Sequence, residues 1–168
     1  RDWYLSNIMK YAFPEWVDCC AVSQPYDYNV VNNAVRYGFF LNIMFGSWTS
    51  YMGDELYEPL SNYIKEIQRI REDLKDTIYM GEYLDTLDAD VEVSEDMRYG
   101  VHRNTGSGER AVVAVNFDTE PHELCVKSFE GNSSGSVYVY EPFKKREEGR
   151  LPLALAIPGE RLAIVVEK

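Results

Sequence analysis

Two stretches of the chain set carboxylates beside aromatic rings. The first is Pro14-Glu15-Trp16-Val17-Asp18-Cys19-Cys20, and the second runs from Gly46 through Trp48, Tyr51, Asp54 and Glu55. A carboxyl group can pass a proton or attack as a nucleophile, and the face of a Trp or Tyr ring stacks on a ligand or attracts a cation. Each residue also has a plainer reading. Asp54 stands ahead of a helical pattern and suits the positive end of that helix, Trp48 can pack between layers, and Glu15 can be a solvated loop residue. The remaining reactive side chains do not assemble by spacing. His102 and His122 fall among short strand patterns with no Ser, Cys or metal-spaced partner. Cys19, Cys20 and Cys125 show no zinc-site spacing, a bridge between adjacent cysteines is strained, and an odd total leaves one thiol unpaired. The acidic run Asp88 to Asp96 lacks the glycine of an EF-hand loop. No metal site and no cofactor is expected.

The elements that must hold these residues show in the hydrophobic pattern. Trp3 to Phe13 is an apolar run stopped by Pro14, which pushes the residue before it towards extended backbone; residues 11–13 read as the end of a strand and 14–20 as the loop after it. Val30, Val31, Ala34 and Tyr37 mark a short helix closed by Gly38. Residues 39–45, FFLNIMF, form a nearly continuous apolar run, the pattern of a strand buried on both faces as in a parallel sheet. From Pro59 to Lys75 the apolar residues Leu60, Tyr63, Ile64, Ile67, Ile70 and Leu74 line one face of a helix about 25 Å long. Lys65, Glu66, Arg69, Glu72, Asp73 and Lys75 face the other way, and Pro59 fits the first turn. This helix is expected to be the seam of the molecule.

After Leu84 the pattern changes. Residues 85–96 read as an acidic connector, followed by six short strands at 99–103, 110–117, 123–127, 136–140, 151–157 and 161–167, separated by Gly, Pro and Asn turns. The expected fold is α+β, a partial α/β segment over residues 1–85 followed by an antiparallel β-sandwich over 98–168.

At 168 residues the chain is long enough to bury a real core. Its net charge of −11 argues against a nucleic-acid or anionic-membrane partner. No apolar run approaches the ~20 residues that span a bilayer. Free thiols favour a reducing, cytoplasmic compartment. The start at Arg1 is expected to be that of a fragment, and Asn132-Ser133-Ser134 matches a glycosylation sequon, which matters only on a secretory route.

The order of elements resembles the C-terminal end of a (β/α)8-barrel glycoside hydrolase of the α-amylase-like or α-galactosidase-like kind, followed by its small β-sandwich, domain C. The resemblance rests on FFLNIMFG with its aromatic loop, IREDLKDTIYMGEYLD, RAVVAVNF, SVYVYEPF and LPLALAIPGERLAIVVE. A whole barrel takes about 250 residues, so the chain would hold at most the last two strands. Barrel sites are built from the loops after the strands. The resemblance therefore implies that both acidic aromatic loops lie on the active-site rim, with Glu15, Trp16, Asp18, Trp48, Tyr51 and Asp54 contacting a carbohydrate, and Glu55 as a further carboxylate. It implies a catalytic pair supplied by earlier strands, and as partner the remainder of the barrel or a second copy of the chain. The other reading is a non-catalytic module that binds a glycan or a protein through Tyr138, Tyr140 and Phe143.

Overall fold

A computed structural model describes residues 10, 12, 13, 18–44 and 53–168. The fold is α+β. Strand β1 (Cys19–Val22) leads through helix α1 (Tyr28–Tyr37) into β2 (Phe40–Ile43), and the two strands pair in parallel from Cys19 opposite Phe40 to Val22 opposite Ile43. A 3-10 turn (Glu55–Tyr57) opens helix α2 (Glu58–Asp73), which ends in a π-helical turn (Lys75–Tyr79). Nine strands follow: β3 (Glu82–Tyr83), β4 (Ala89–Val93), β5 (Met97–Arg103), β6 (Arg110–Asn116), β7 (His122–Phe129), β8 (Ser136–Tyr140), β9 (Glu147–Arg150), β10 (Leu153–Ile157) and β11 (Leu162–Glu167). They form an antiparallel six-stranded sheet in the order β3-β5-β6-β11-β8-β9 and a three-stranded sheet in the order β10-β7-β4.

The six-stranded sheet is the middle layer of three. In β6, Ala111, Val113 and Val115 join a cluster with Val31 and Val35 of α1 and Leu60, Tyr63, Ile67 and Ile70 of α2. Val112 and Ala114 point the other way and meet Leu124 and Val126 of β7. Strand β11 divides likewise, Leu162, Ile164 and Val166 towards the helices and Ala163 and Val165 towards the second sheet. Alternating residues therefore find apolar cover on both faces, which is why these two strands read as unbroken apolar runs.

Helix α2 buries the stripe its spacing predicts, Leu60, Tyr63, Ile67 and Ile70, with Leu74 just beyond its end. Helix α1 does not follow a one-face pattern. Residues 31–37 are all buried, among them Asn32, Asn33 and Arg36. Asn32 donates to the Glu160 carbonyl at 3.0 Å and accepts from the Tyr63 hydroxyl at 2.5 Å, which ties α1 to the β10–β11 turn and to α2. Arg36 donates to Asn33 and to the Tyr37 hydroxyl. Helix α1 is thus a seam as much as α2, wedged between the parallel pair, the sheet and the second helix. It ends where the sequence indicates. Gly38 has φ 68°, and a Cβ placed there would lie 2.5 Å from the Ile78 carbonyl oxygen, so both backbone and space demand glycine.

Four expectations are corrected. Lys10 and Ala12 have helical backbone and Phe13 belongs to no strand, so the expected strand end at 11–13 is not found at its described residues, and the first described strand is β1. The proline rule restricts only Phe13 and is met equally by a helix that ends there. Strand β2 is not buried on both faces: Phe40 is 36 % and Ile43 37 % exposed. Apolar content shows that a strand can be covered, while cover itself depends on which layers are present. The acidic stretch 85–96 is not a free connector, because it contains β4, paired with β7 from Ala89 opposite Phe129 to Val93 opposite Leu124. Val91 and Val93 supply its inward face, packed against the inter-sheet cluster. Finally, His122 does have partners suited to a metal, Asp96 and Asp118. The six expected sandwich strands are all present, joined by β3, β4 and β9, which are too short or too acidic to stand out in the sequence.

Candidate functional site

In a parallel β-α-β unit, loops after the strands share one end of the sheet and loops before them the other. Strand β1 is followed by Ser23 to Asp27. This turn is closed by the Asp27 carboxylate, whose Oδ2 accepts from the backbone N–H of Ser23 and of Gln24, each at 2.8 Å. Asp27 then serves as the N-cap residue of α1. On the β2 side, Asp54 precedes the 3-10 turn in extended backbone (φ −67°, ψ 145°), and its carbonyl accepts from Tyr57 N–H at 2.9 Å. The Tyr57 hydroxyl crosses between these loops to donate to the Ser23 carbonyl at 3.0 Å. One hydrogen bond thus joins the two loops that follow β1 and β2. Tyr26 and Leu56 stand out from them, 67 % and 69 % exposed.

Asp18 lies elsewhere. It immediately precedes β1, where its Oδ1 accepts from Cys19 N–H at 2.7 Å and its carbonyl accepts from Phe40 N–H at 3.0 Å. Of the described residues, Asp18 therefore comes directly before the first described strand, which Cys19 and Cys20 open, and it sits at the end of the parallel pair opposite Asp54. This corrects its expected place on the same rim. Glu15, Trp16, Trp48 and Tyr51 lie outside the described residues. Of the six expected contact residues only Asp54 is seen at the end to which loops after the strands converge. The loop missed by sequence reasoning is Ser23-Gln24-Pro25-Tyr26-Asp27; its signals were the Gln-Pro dipeptide and an Asp directly ahead of a helix. Asp54 makes no side-chain cap bond to its turn.

Cys20 is not set up as a nucleophile. Burial, reinforced by the nearby Asp18 carboxylate and Cys19, pushes the Cys20 thiol up to about 11, so it stays protonated and a poor nucleophile. The three cysteines are all free thiols. At the sandwich, the three aromatics of the binding-module reading part company. Tyr140 is buried, Tyr138 lies beneath the guanidinium of Arg146 at 4.3 Å and the ammonium of Lys168 at 4.8 Å, and Phe143 is 61 % exposed. Phe143 has φ 66°, uncommon for a bulky residue, and its N–H is held by the Glu66 carboxylate of α2 at 3.2 Å.

The class these features define is an α+β chain in which a parallel β-α-β unit with converging loops packs on a β-sandwich. Among the described residues no helix is long and apolar enough to cross a membrane. No known family model matches the sequence, and no curated protein sequence matches it. Solved structures with a similar arrangement include the following glycoside hydrolases. A GH27 β-L-arabinopyranosidase from Geobacillus stearothermophilus aligns over 88 % of this chain and 31 % of its own, at TM-score 0.49 and 9 % identity. A GH30 endoxylanase from Clostridium papyrosolvens C71 aligns over 88 % of this chain and 41 % of its own, at TM-score 0.46 and 11 % identity. A family 44 xyloglucanase from Paenibacillus polymyxa aligns over 98 % and 34 %, at TM-score 0.45 and 10 % identity. The chain spans about a third of the length of these structures.

Proposed function

We propose that this chain is the C-terminal portion of a carbohydrate-active glycoside hydrolase, contributing rim loops of a barrel active site and an accessory β-sandwich. The observation that carries the reading is the convergence of the loops after β1 and β2 through the Tyr57–Ser23 hydrogen bond, with Tyr26 exposed beside it and Asp54 on the second loop. In a barrel, that end faces substrate. Tyr26 supplies a stacking face for a sugar ring, and Asp54 a hydrogen-bond acceptor for its hydroxyls. The exposed apolar residues of β2, Phe40 and Ile43, suit contact with the rest of the barrel. The chain alone does not hydrolyse glycosides, because two strands do not set an acid and a nucleophile or base ~5 to 9 Å apart within walls that exclude water.

The test is to assay the purified chain on a panel of aryl glycosides and to titrate mono- and oligosaccharides by NMR. The expected result is no turnover, with weak binding on the order of millimolar and shifts centred on Tyr26 and the Trp side chains. Turnover lost in Glu15→Gln or Asp54→Asn would overturn the fragment reading. A complete lack of sugar-dependent shifts would overturn the carbohydrate reading. A second reading, a non-catalytic binding module, is favoured by one observation, the exposed Phe143 in left-handed backbone, and predicts that ligand shifts centre on Phe143 instead.

A further inference from the structure

The turns at one end of the sandwich bring together three side chains that the fold of the parallel unit leaves untouched. Asp96 belongs to the turn between β4 and β5, Asp118 to the turn between β6 and β7, and His122 opens β7. One carboxylate oxygen from each Asp and one imidazole nitrogen of His122 all lie within 4.8 Å of one another. His122 Nε2 is 2.8 Å from Asp118 Oδ2. We propose that Asp96, Asp118 and His122 form a binding site for a divalent cation that takes mixed nitrogen and oxygen donors, Zn2+ or Mn2+ in preference to Ca2+ or Mg2+.

The chemistry of the donors sets the preference. Calcium and magnesium are held by oxygen ligands alone, whereas an imidazole beside two carboxylates suits a first-row transition metal. Metal bonds of about 2.1 Å place neighbouring ligand atoms of a tetrahedral ion about 3.4 Å apart, and the spacing of the three donors is a side-chain rotation away from that. Charge points the same way. Among the described residues no Lys or Arg pairs with Asp96 or Asp118, and His122 is the only basic group in contact with either. Two carboxylates thus approach each other, in a chain of net charge −11, with a single imidazole to compensate them. A bound cation would relieve that repulsion more fully than one imidazolium.

The backbone that carries the donors is fixed by contacts outside the cluster. Asn116 is fully buried, and its amide donates to the carbonyls of Glu120 at 2.7 Å, Ile157 at 3.1 Å and Pro158 at 3.2 Å. Its side-chain Oδ1 accepts from Asp118 N–H at 3.0 Å. Phe117 N–H reaches the Asp96 carbonyl at 3.2 Å, linking the two turns. Asp118 Oδ1 accepts from Thr119 N–H at 2.7 Å, which leaves Oδ2 turned towards His122. Ligands held in this way lose little freedom on taking up an ion. With three protein ligands, all at least partly accessible, the remaining coordination positions fall to water, so the ion would exchange readily and tie the ends of β4, β5, β6 and β7 together.

The experiment uses the full chain after chelator treatment, with ZnCl2, MnCl2 and CaCl2 as separate probes. Only two histidines are present, so the imidazole NMR signals of His122 are separable from those of buried His102. Expected are a saturable Zn2+ shift and Mn2+ broadening at His122 but not at His102, one ion bound per chain by calorimetry, and a Tm raised by roughly 5 °C at a hundredfold excess over Kd. Asp96→Asn and Asp118→Asn are each expected to weaken binding tenfold or more, and His122→Gln to abolish it. Melting curves in chelator establish that each variant is folded; Asp96→Asn, whose side chain lies outside the His122–Asp118 pair, is the variant least exposed to that concern. No response of His122 at millimolar Zn2+ would overturn the proposal, and so would binding that Asp96→Asn and His122→Gln leave unchanged, which would place the ion elsewhere. Tighter binding of Ca2+ than of Zn2+ would overturn the assignment of the ion.

Discussion

Acidification should destabilise this protein through His102. The ring is fully buried at the junction of β5, α1 and the π-helical turn, its Nε2 is 2.8 Å from the Arg36 carbonyl, and it meets Tyr83 edge-on at 5.2 Å between ring centres. Burial pushes its pKa down from 6.5 to about 4; the hydrogen bond to the Arg36 carbonyl opposes this, the Lys10 ammonium adds to it, and the nearby Ile78 carbonyl opposes it further. The folded state therefore holds His102 neutral, while the unfolded chain takes up a proton below pH 6.5. Because the unfolded state binds the additional proton, stability falls as pH drops from about 6.5 to about 4 and is flat in this respect on either side. A shift of this size is worth roughly 3 kcal/mol in all, of which about 2 kcal/mol is lost between pH 7 and pH 5. That is a large share of a typical 5 to 15 kcal/mol. The assay is urea unfolding at half-unit steps from pH 7.5 to pH 5, on the parent chain and on His102→Gln, which keeps a donor for the Arg36 carbonyl. The parent should lose about 2 kcal/mol across this range, and the variant should lose much less although it retains His122. The reasoning is refuted if His102 titrates near 6.5 by NMR while the chain stays folded, or if His102→Gln keeps the parent's slope.

Other expectations concern stability. Ile67→Asp places a carboxylate in the cluster between α2 and the sheet and should cost several kcal/mol by chemical denaturation, whereas Glu72→Ala on the exposed face should change stability by under ~0.5 kcal/mol. Glu66→Ala is a different case from its solvent-facing neighbours, since Glu66 holds Arg69 and the Phe143 N–H, and its loss should cost about 1 kcal/mol and broaden the amide signals of residues 142–145. Asn116→Ala removes the donor to three carbonyls at the end of the sandwich and should cost about 3 kcal/mol, read as a drop in Tm. Limited proteolysis tests the division at 85–98. The pairing of β4 with β7 predicts resistance there, and a nick leaving a stable piece from Arg98 onward would instead support two separable units.

The local rules legible in the sequence were those of period and cap. The stripe from Leu60 to Leu74 named the buried face of α2, because a 3.6-residue repeat leaves only one way to gather those side chains. Gly38 marked the end of α1, because only glycine adopts φ 68° against the Ile78 carbonyl without strain. Short apolar runs between turn residues located six sandwich strands, and the α+β class followed from their order. What a strand faces was not legible. The same apolar character describes β6, covered on both sides, and β2, exposed at Phe40 and Ile43, since cover depends on layers contributed by distant segments. The buried Asn32, Asn33 and Arg36 of α1 look like surface residues until Glu160, Tyr63 and Tyr37 arrive to satisfy them. Which end of β1 carries Asp18 turned on where the strand begins, a matter of a few residues that backbone pairing with Phe40 decides. The meeting of Asp96, Asp118 and His122 belongs wholly to the tertiary structure. Asp96 lies 22 residues before Asp118 in the chain, and only the pairing of β5 with β6, from Met97 opposite Asn116, brings their turns to the same end of the sandwich.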